Sequence, residues 1–299
     1  MREYTSCTLC PRMCGIDRTQ GRIGACRAGA LPRVAHTMLH HWEEPCISGK
    51  NGSGAVFFSG CPLGCVYCQN KEISRGYVGA EYDSAALAAL FLNLQSQGAH
   101  NINLVTATHH APHVIAAVRS ARDGGLSVPV VYNTSGYESV ERIRALKDTV
   151  DVYLTDVRYS TSESAEKYSA APDYPHVAME ALAEMVSQKG AARFDDEGMI
   201  QSGVVVRLLL LPGHLIEAKR ILRDVYRIVG DSVYISLMSQ YTPVQGIESK
   251  YPALARRVTP YEYASLVEYA QRLGVVNAYT QEREAAKESY IPAFGTQKL

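Results

Sequence analysis

Short apolar runs alternate with helix-length amphipathic segments from about residue 51 to residue 275. Six runs are nearly continuous in apolar character, as in strands buried on both faces of a sheet; they cover residues 55–59, 101–105, 128–132, 151–155, 203–210 and 232–237. Helical periodicity follows them at residues 83–97, 111–122, 137–147, 177–188, 215–228 and 260–272. Residues 191–202 are polar, and we expect a loop there before the fifth strand. This order predicts parallel strand–helix units in an α/β fold, either an open sheet or a barrel.

The two ends of the chain do not follow this pattern. Residues 1–50 are rich in Cys, Gly and Arg and have weak periodicity, and the last 25 residues lack a clear period. We therefore expect a Cys-rich metal-binding lobe at 1–50, the strand–helix domain at 51–275, and a C-terminal extension at 276–299 packed on that domain.

Composition narrows the class of protein. The 299 residues are 46% hydrophobic and 20% charged, which is typical of a globular chain that builds its core without disulfides. Thirty basic residues balance thirty acidic ones, which argues against nucleic acid as a partner. The apolar runs are too short to span a bilayer, and no apolar signal region precedes the first cysteine. We expect no membrane partner and a cytoplasmic location.

The eight cysteines all lie before residue 69. The second group, Cys61, Cys65 and Cys68, places three thiols within eight residues. Structural zinc usually takes four ligands in two close pairs, whereas three thiolates can hold three irons of a 4Fe–4S cluster and leave the fourth iron open. Buried or zinc-bound cysteines are the alternative for this group.

The first group has four cysteines, Cys7, Cys10, Cys14 and Cys26, in a segment rich in glycine. Four thiolates can hold zinc or a second Fe–S cluster, and the sequence does not choose between them. Residues 1–36 also carry six arginines against two acidic residues, which can offset thiolate charge or attract an acidic partner. Cys46 stands apart, and we expect it to be a small buried residue.

Polar residues follow every predicted strand, at the edge where parallel barrels collect functional groups. They include residues 106–113, 133–137, 156–159, 212–214 and 238–243. His109, His110 and His113 have no carboxylate nearby in sequence, and we expect at least two of them in a solvated loop.

The cysteine spacing, with Tyr67 before the last cysteine, resembles the signature of the radical S-adenosylmethionine (SAM) superfamily. The chain is most similar to the branch with pyruvate formate-lyase activating enzyme and its relatives that carry an N-terminal cysteine segment. The segments that carry this resemblance are residues 57–65, 132–137, 151–156, 211–214, 236–243 and 290–294. The resemblance implies a partial (β/α)6 TIM-like barrel with an N-terminal metal-binding lobe, a 4Fe–4S cluster on Cys61, Cys65 and Cys68, and SAM as cofactor.

The same resemblance implies a set of SAM contacts. Asp156 and Arg158 fall where the activating enzyme has an Asp-x-Lys pair, and the guanidinium of Arg158 can grip a carboxylate with two hydrogen bonds. The glycine-rich motif that usually follows the second strand is missing here. The implied cofactor-binding residues are Tyr67, Thr106, Thr108, Asn133, Ser135, Asp156, Arg158 and His214, with His109 beside the two threonines.

The implied activity is reductive cleavage of SAM to a 5′-deoxyadenosyl radical, which abstracts hydrogen from a protein or peptide. A glycyl-radical enzyme is the protein substrate by analogy, and a flavodoxin-like or ferredoxin-like protein is the expected electron donor. The alternatives are radical modification of a small molecule, and a non-catalytic zinc or Fe–S scaffold or electron-transfer protein.

Overall fold

Six parallel strands form the centre of the computed structural model, which describes residues 2–76 and 78–280. The strands in this part of the chain are β1 (Arg33–His40), β2 (Ser53–Phe58), β3 (Ala80–Glu81), β4 (Ile102–Val105), β5 (Val130–Thr134), β6 (Val152–Asp156), β7 (Arg193–Phe194), β8 (Ile200–Leu209), β9 (Tyr234–Met238) and β10 (Ala278–Thr280). The sheet order is β10-β9-β8-β6-β5-β4-β2-β1-β3, and β2, β4, β5, β6, β8, β9 and β10 are parallel. The predicted partial TIM-like barrel is confirmed.

Helices cover the outer face of this sheet. Those within the described residues are α1 (Arg2–Thr5), α2 (Pro45–Ser48), α3 (Lys71–Arg75), α4 (Ser84–Ser96), α5 (Ala111–Asp123), α6 (Val140–Ala145), α7 (Ser162–Ser169), α8 (Tyr174–Lys189), α9 (Leu215–Val229) and α10 (Pro260–Leu273). The main core lies between α4, α5, α8, α9 and the strand residues that point outward, such as Leu104, Tyr132 and Val204. None of the helices in residues 2–76 and 78–280 combines the length and hydropathy of a membrane span.

The pattern did not predict β1, which lies inside the Cys-rich segment and pairs antiparallel with β2. Most β1 residues are half-buried, so they lack the alternation that would mark a strand with one buried face. The predicted loop at 191–202 is also wrong in part, because β7 forms a short antiparallel pair with the start of β8. Backbone groups form this pairing, so the polar side chains of the segment do not prevent it.

A segment that we name the strap (residues 41–52) crosses the inside of the barrel at its base. Its helix α2 packs Cys46 and Ile47 against Val131, Val152 and Leu154. The Nδ2 of Asn101, just before β4, donates to the carbonyl of Ile47 over 2.7 Å. Cys46 is therefore a small buried residue, as predicted, and this part of the strap packs against β5 and β6.

The C-terminal extension is described only in part. Residues 278–280 form β10, which adds to β9 as a further parallel strand. Residues 281–299 lie outside the described residues, and with them the segment 290–294.

Candidate functional site

The cysteine loop (residues 61–68) follows β2 at the carboxyl edge of the sheet. Gly60 and Gly64 have φ values of 86° and 64°, a conformation that turns the chain sharply and favours glycine. The loop directs the side chains of Cys61, Cys65 and Cys68 into one cavity of about 130 Å³, which we name the inner cavity. Three thiols with no carboxylate among them suit the irons of an Fe–S cluster, which these cysteines would hold.

The electrostatics of the loop also suit a cationic group. Burial, together with the neighbouring charges of Cys65 and Cys68, raises the pKa of Cys61 to about 12. Burial raises the pKa of Cys68 as well. Metals bind the thiolate form of cysteine. The iron of a bound cluster would therefore supply the positive charge that stabilises the buried thiolates of Cys61 and Cys68.

A chain of hydroxyl groups reaches the sulfur of Cys65. The hydroxyls of Tyr67 and Tyr159 lie 2.8 Å apart, and that of Tyr159 lies 2.7 Å from the hydroxyl of Ser169. Ser169 donates to Cys65 Sγ over 3.0 Å. Hydrogen bonds to the sulfurs that hold an Fe–S cluster tune the reduction potential of that cluster. This chain of hydroxyls therefore links Tyr67 to a sulfur whose hydrogen bonding would affect that potential.

A buried ion-pair network forms the opposite wall. Asp156 and Arg207 are register neighbours on β6 and β8, and Arg207 Nε donates to Asp156 Oδ1 over 2.8 Å. Arg158 pairs with the other oxygen of Asp156. Burial opposes the charge on Arg207, but the carboxylates of Asp156 and Glu43 raise its pKa above the ordinary value.

The strap supplies the remaining partner, Glu43. Its Oε1 accepts hydrogen bonds of 3.1 Å from both Asn103 and Asn133, and its Oε2 lies 3.0 Å from Arg207. The Nε of Arg158 is buried without a partner in the described part of the chain. The network therefore fixes Asp156 and Arg207 while leaving one donor of Arg158 for a ligand.

A second cavity of about 270 Å³, which we name the wide cavity, adjoins the first. The two share seven lining residues: Cys68, Asn70, Val105, Asn133, Asp156, Arg158 and Arg207. Trp42, Met238, Gln240 and Thr242 line only the wide cavity. The site thus offers one compartment at the cysteines and another beside it.

The structure brings most of the predicted cofactor contacts together. Asn133, Asp156 and Arg158 line both cavities, Tyr67 lines the wide one, and Thr106 and Ser135 line the inner one. Two predicted residues line neither. Thr108 donates its hydroxyl to Glu138 over 2.6 Å, and His214 bonds Tyr168 at 3.0 Å and lies 3.4 Å from Glu217.

The histidines after β4 correct another expectation. His109 and His110 are fully buried rather than in a solvated loop, because a turn packs them beneath the N-terminal lobe, which we define as residues 2–32. His109 Nε2 bonds the carbonyl of Ser59 at 2.8 Å, and burial lowers the pKa of His109 to about 4. The buried Arg18 also donates to the carbonyl of His109 over 2.7 Å. The main chain at His109 therefore contacts the N-terminal lobe through Arg18.

The four N-terminal cysteines lie within electrostatic reach of one another. Burial, together with the charges of Cys26 and Cys14, raises the pKa of Cys10 to about 12. Burial also raises the pKa of Cys26, whose neighbours include Cys7 and Cys14. Among the described residues, no group of three or more His, Cys, Asp or Glu side chains has the arrangement of a metal site.

The N-terminal lobe contacts the cysteine loop directly. The backbone amide of Cys61 donates to the carbonyl of Cys26 over 3.1 Å. Arg12 donates to the carbonyls of Pro62 and Ser169, each over 2.9 Å, and also bonds that of Ala170. The lobe therefore supports both the loop and the end of α7.

Sequence reasoning missed Glu43, Arg207 and Glu138. A single charge inside the apolar run at 203–210 is the signal for Arg207. Glu138 is fully buried and accepts from the hydroxyls of Thr108, Thr134 and Tyr132. No local pattern marks Glu43 or Glu138, because their partners lie on other elements.

Comparisons with known proteins agree with this architecture. A model of the Radical SAM superfamily matches residues 55–225. An uncharacterised protein of Methanocaldococcus jannaschii is 27% identical over 276 residues, 90% of this chain and 75% of that protein. The "Putative glycyl-radical enzyme activating enzyme" of Haemophilus influenzae is 28% identical over 119 residues, 38% of this chain and 43% of the relative.

A solved structure is similar in fold. Streptococcus suis SuiB, bound to the precursor peptide SuiA, has a TM-score of 0.50 at 9% identity over 75% of this chain. The matched region covers 47% of SuiB. At this identity the likeness concerns the fold alone.

Proposed function

Because the chain belongs to the radical SAM superfamily, whose model matches more than half of it, we propose that it cleaves SAM reductively at a 4Fe–4S cluster. Cys61, Cys65 and Cys68 hold the cluster in this proposal, and SAM occupies the adjoining space. The observation that carries it is the convergence of all three cysteine side chains on a cavity that Asp156 and Arg158 also line. When bound, these groups supply a 5′-deoxyadenosyl radical that abstracts hydrogen from the substrate.

The residues of the chain bind and orient the cofactor. The buried, unpartnered Nε of Arg158 is a donor for the methionine carboxylate. Tyr67 would offer an aromatic face to the adenine, while Asn133 and Asp156 hold Arg207 and Arg158 in place at the cavity wall. Thr106 and Ser135 line the inner cavity. The proposal leaves out Thr108 and His214, which line neither cavity.

We propose a protein or peptide substrate, with activation of a glycyl-radical enzyme as the leading case. Support comes from the Haemophilus influenzae relative, whose match covers 38% of this chain. The wide cavity is suited to the reacting segment because it adjoins the cysteine compartment and is lined by Trp42, Met238 and Gln240.

We also propose that Cys7, Cys10, Cys14 and Cys26 hold a second metal, either zinc or an Fe–S cluster. The raised pKa values of Cys10 and Cys26 support it, since a bound cation would stabilise the buried thiolates. All eight cysteines are free thiols. Free thiols suit a reducing compartment, and we propose a cytoplasmic location.

The test is electron paramagnetic resonance of anaerobically reconstituted, dithionite-reduced protein, with and without SAM. We expect a 4Fe–4S signal that changes on adding SAM, and 5′-deoxyadenosine among the products. Cys65→Ala should lose both, whereas Cys46→Ala, which alters a buried cysteine outside both groups, should keep them. A signal unmoved by SAM, or retained fully in Cys65→Ala, would contradict the proposal.

The second site and the substrate need separate measurements. Metal analysis of Cys14→Ala should show loss of one zinc ion or of the iron of one cluster while the SAM-responsive signal remains. A glycyl radical formed on a purified glycyl-radical enzyme would support the activase assignment. If SAM is cleaved and no such radical forms, the substrate assignment fails and the SAM chemistry stands.

A further inference from the structure

We propose that a groove on the outer side of the cysteine loop is the docking surface for a small acidic electron-carrier protein. We name it the outer groove; it has a volume of about 470 Å³. Its basic lining residues are Arg12, Arg27, Arg75, Lys167 and Lys250. The inference rests on the proposed function, because it assigns the surface through which the Cys61, Cys65 and Cys68 site receives its electron.

The position of the groove separates the electron donor from the substrate. Cys61 and Leu63 line both the outer groove and the inner cavity, so the loop is the wall between them. A carrier in the groove would lie against the backbone of the first cysteine. The radical reaction needs the opposite side of that wall, where Asp156 and Arg158 lie. This arrangement favours a redox partner rather than the reacting segment of a substrate.

The charge of the groove defines the partner. Its five basic residues come from the N-terminal lobe, from α3, from α7 and from the segment after β9, whereas Glu166 is its one acidic lining residue. None of the five forms an ion pair with a residue that the structure describes. The whole chain has zero net charge, so this is a local concentration of positive charge.

Three of these cations are held by backbone carbonyls, which leaves their charge uncompensated. Arg12 bonds the carbonyls of Pro62 and Ser169. Arg75 bonds the carbonyl of Gly64, and Arg27 bonds that of Arg75. Lys167 and Lys250 lie over the rings of Tyr168 and Tyr251, at 5.2 and 5.6 Å from the ring centroids. A positive surface of this kind speeds association with an acidic partner and orients it.

The electron transfer is a one-electron exchange. The reduced carrier loses one electron, and the group that the three cysteines hold gains it. No bond is formed or broken, and no proton needs to move between the two proteins.

Charge reversal tests the surface. In the double variant Lys167→Glu, Lys250→Glu, both substitutions lie on exposed groove positions. The matched control is Lys147→Glu, Arg227→Glu, which makes the same charge change at two exposed positions that do not line the groove, one in the turn after α6 and one in α9. Purified flavodoxin serves as the acidic carrier, and its binding to the metal-loaded protein is followed by fluorescence anisotropy of a dye-labelled carrier over a series of salt concentrations.

We expect the groove variant to bind flavodoxin at least about 10-fold more weakly than the unmodified protein at low salt, and the control to stay within about 2-fold. The difference should shrink as salt rises, because screening weakens exposed charge interactions. Equal binding by the groove variant and the control would overturn the inference.

Product formation separates this inference from the proposed function. With dithionite as reductant, the groove variant should form 5′-deoxyadenosine at the unmodified rate; with reduced flavodoxin, it should be slower by the factor seen in binding. If dithionite drives cleavage and flavodoxin drives both proteins equally, the docking surface is wrong and the proposed function stands. If dithionite yields no 5′-deoxyadenosine with the unmodified protein, the proposed function fails, and the inference with it.

Discussion

The carbonyl oxygen of Cys26 accepts a hydrogen bond from the backbone amide of Cys61 over 3.1 Å. This contact joins the last cysteine of the N-terminal group to the first cysteine of the loop. Gly60 lies against the same oxygen: a Cβ at this position would be 2.5 Å from it. The two cysteine groups therefore meet through main-chain atoms, at a position that has no room for a side chain.

Gly60→Ala should displace the cysteine loop. The substitution adds the clash with Cys26 to the strain of a φ of +86°. Gly98→Ala is the matched control, since Gly98 has a φ of +91° and open space around its Cα. We expect Gly98→Ala to lower the free energy of unfolding by about 1 kcal/mol, and Gly60→Ala to lower it further and reduce iron incorporation at the loop. Equal effects of the two variants on stability and iron content would contradict the role of the contact.

Arg12→Ala should loosen the lobe from the loop. Arg12 donates to carbonyls on the cysteine loop and at the end of α7, and hydrogen bonds from a charged donor contribute about 1.5–3 kcal/mol each. We expect a loss of about 2–4 kcal/mol in the free energy of unfolding and a weaker SAM-induced change in the cluster signal. Arg22→Ala, at an exposed position of the same lobe, should change neither. Unaltered stability in Arg12→Ala would show that the lobe is held by other contacts.

Glu43→Gln should weaken SAM binding without touching the cysteines. The substitution removes the charge that Arg207 faces at 3.0 Å and leaves Arg207 with the ion pair that it forms with Asp156. Removing one partner of a buried ion pair lowers the free energy of unfolding by about 3–5 kcal/mol. We expect the remaining partners to shift from their positions as well. We expect SAM affinity to fall at least about 10-fold at unchanged iron content.

Glu81→Gln is the control for this change, because Glu81 forms an exposed ion pair with Arg33. Equal SAM dissociation constants for Glu43→Gln and Glu81→Gln would show that Glu43 of the strap does not contribute to SAM binding. Titration of the cluster signal with SAM measures both constants.

Glu138 should make the stability of the fold depend on pH. Burial raises the pKa of Glu138 from 4.5 to about 7, against the opposing effect of the hydroxyl groups that donate to it. Above pH 4.5 the unfolded chain ionises this carboxyl while the folded protein keeps it protonated. The stability contribution therefore falls as pH rises from about 4.5 to 7, by roughly 3 kcal/mol, and then levels.

Glu138→Gln removes this titration and keeps an amide oxygen for the three hydroxyls. We expect the free energy of unfolding of the variant, relative to the unmodified protein, to increase with pH across that window. Denaturant unfolding at pH 5, 6, 7 and 8 measures it. Parallel pH curves for the two proteins would mean that Glu138 titrates alike in the folded and unfolded chains.

The sequence predicted the parts of the fold and site that follow from local pattern. Continuous apolar runs located six of the seven parallel strands in the described residues, all but the short β10, and the close spacing of Cys61, Cys65 and Cys68 placed their thiols in one loop. Asp156 and Arg158 were predictable because they end a strand whose neighbours were identified. In each case the information lies within a few residues.

Features built from distant residues could not be predicted in this way. Glu43 reaches the site because the strap crosses the barrel, 164 positions from Arg207 in sequence. His109 and His110 resemble an exposed polar loop until the N-terminal lobe covers them. Arg18 of this lobe, which donates to the carbonyl of His109, lies 91 positions away in sequence. The hydrophobic periodicity of a segment reflects its local structure and does not indicate which distant residues contact it.

Strand β1 has a consequence for any attempt to divide this protein. Six paired positions connect β1 with β2. A fragment starting at residue 51 would lack the strap and expose the amides and carbonyls of one whole side of β2, an edge that promotes association between chains. The span 55–225 that the family model matches begins inside β2 and leaves out β1, the strand that pairs with it. Expression of this span alone would therefore remove a neighbour that β2 has in the whole chain.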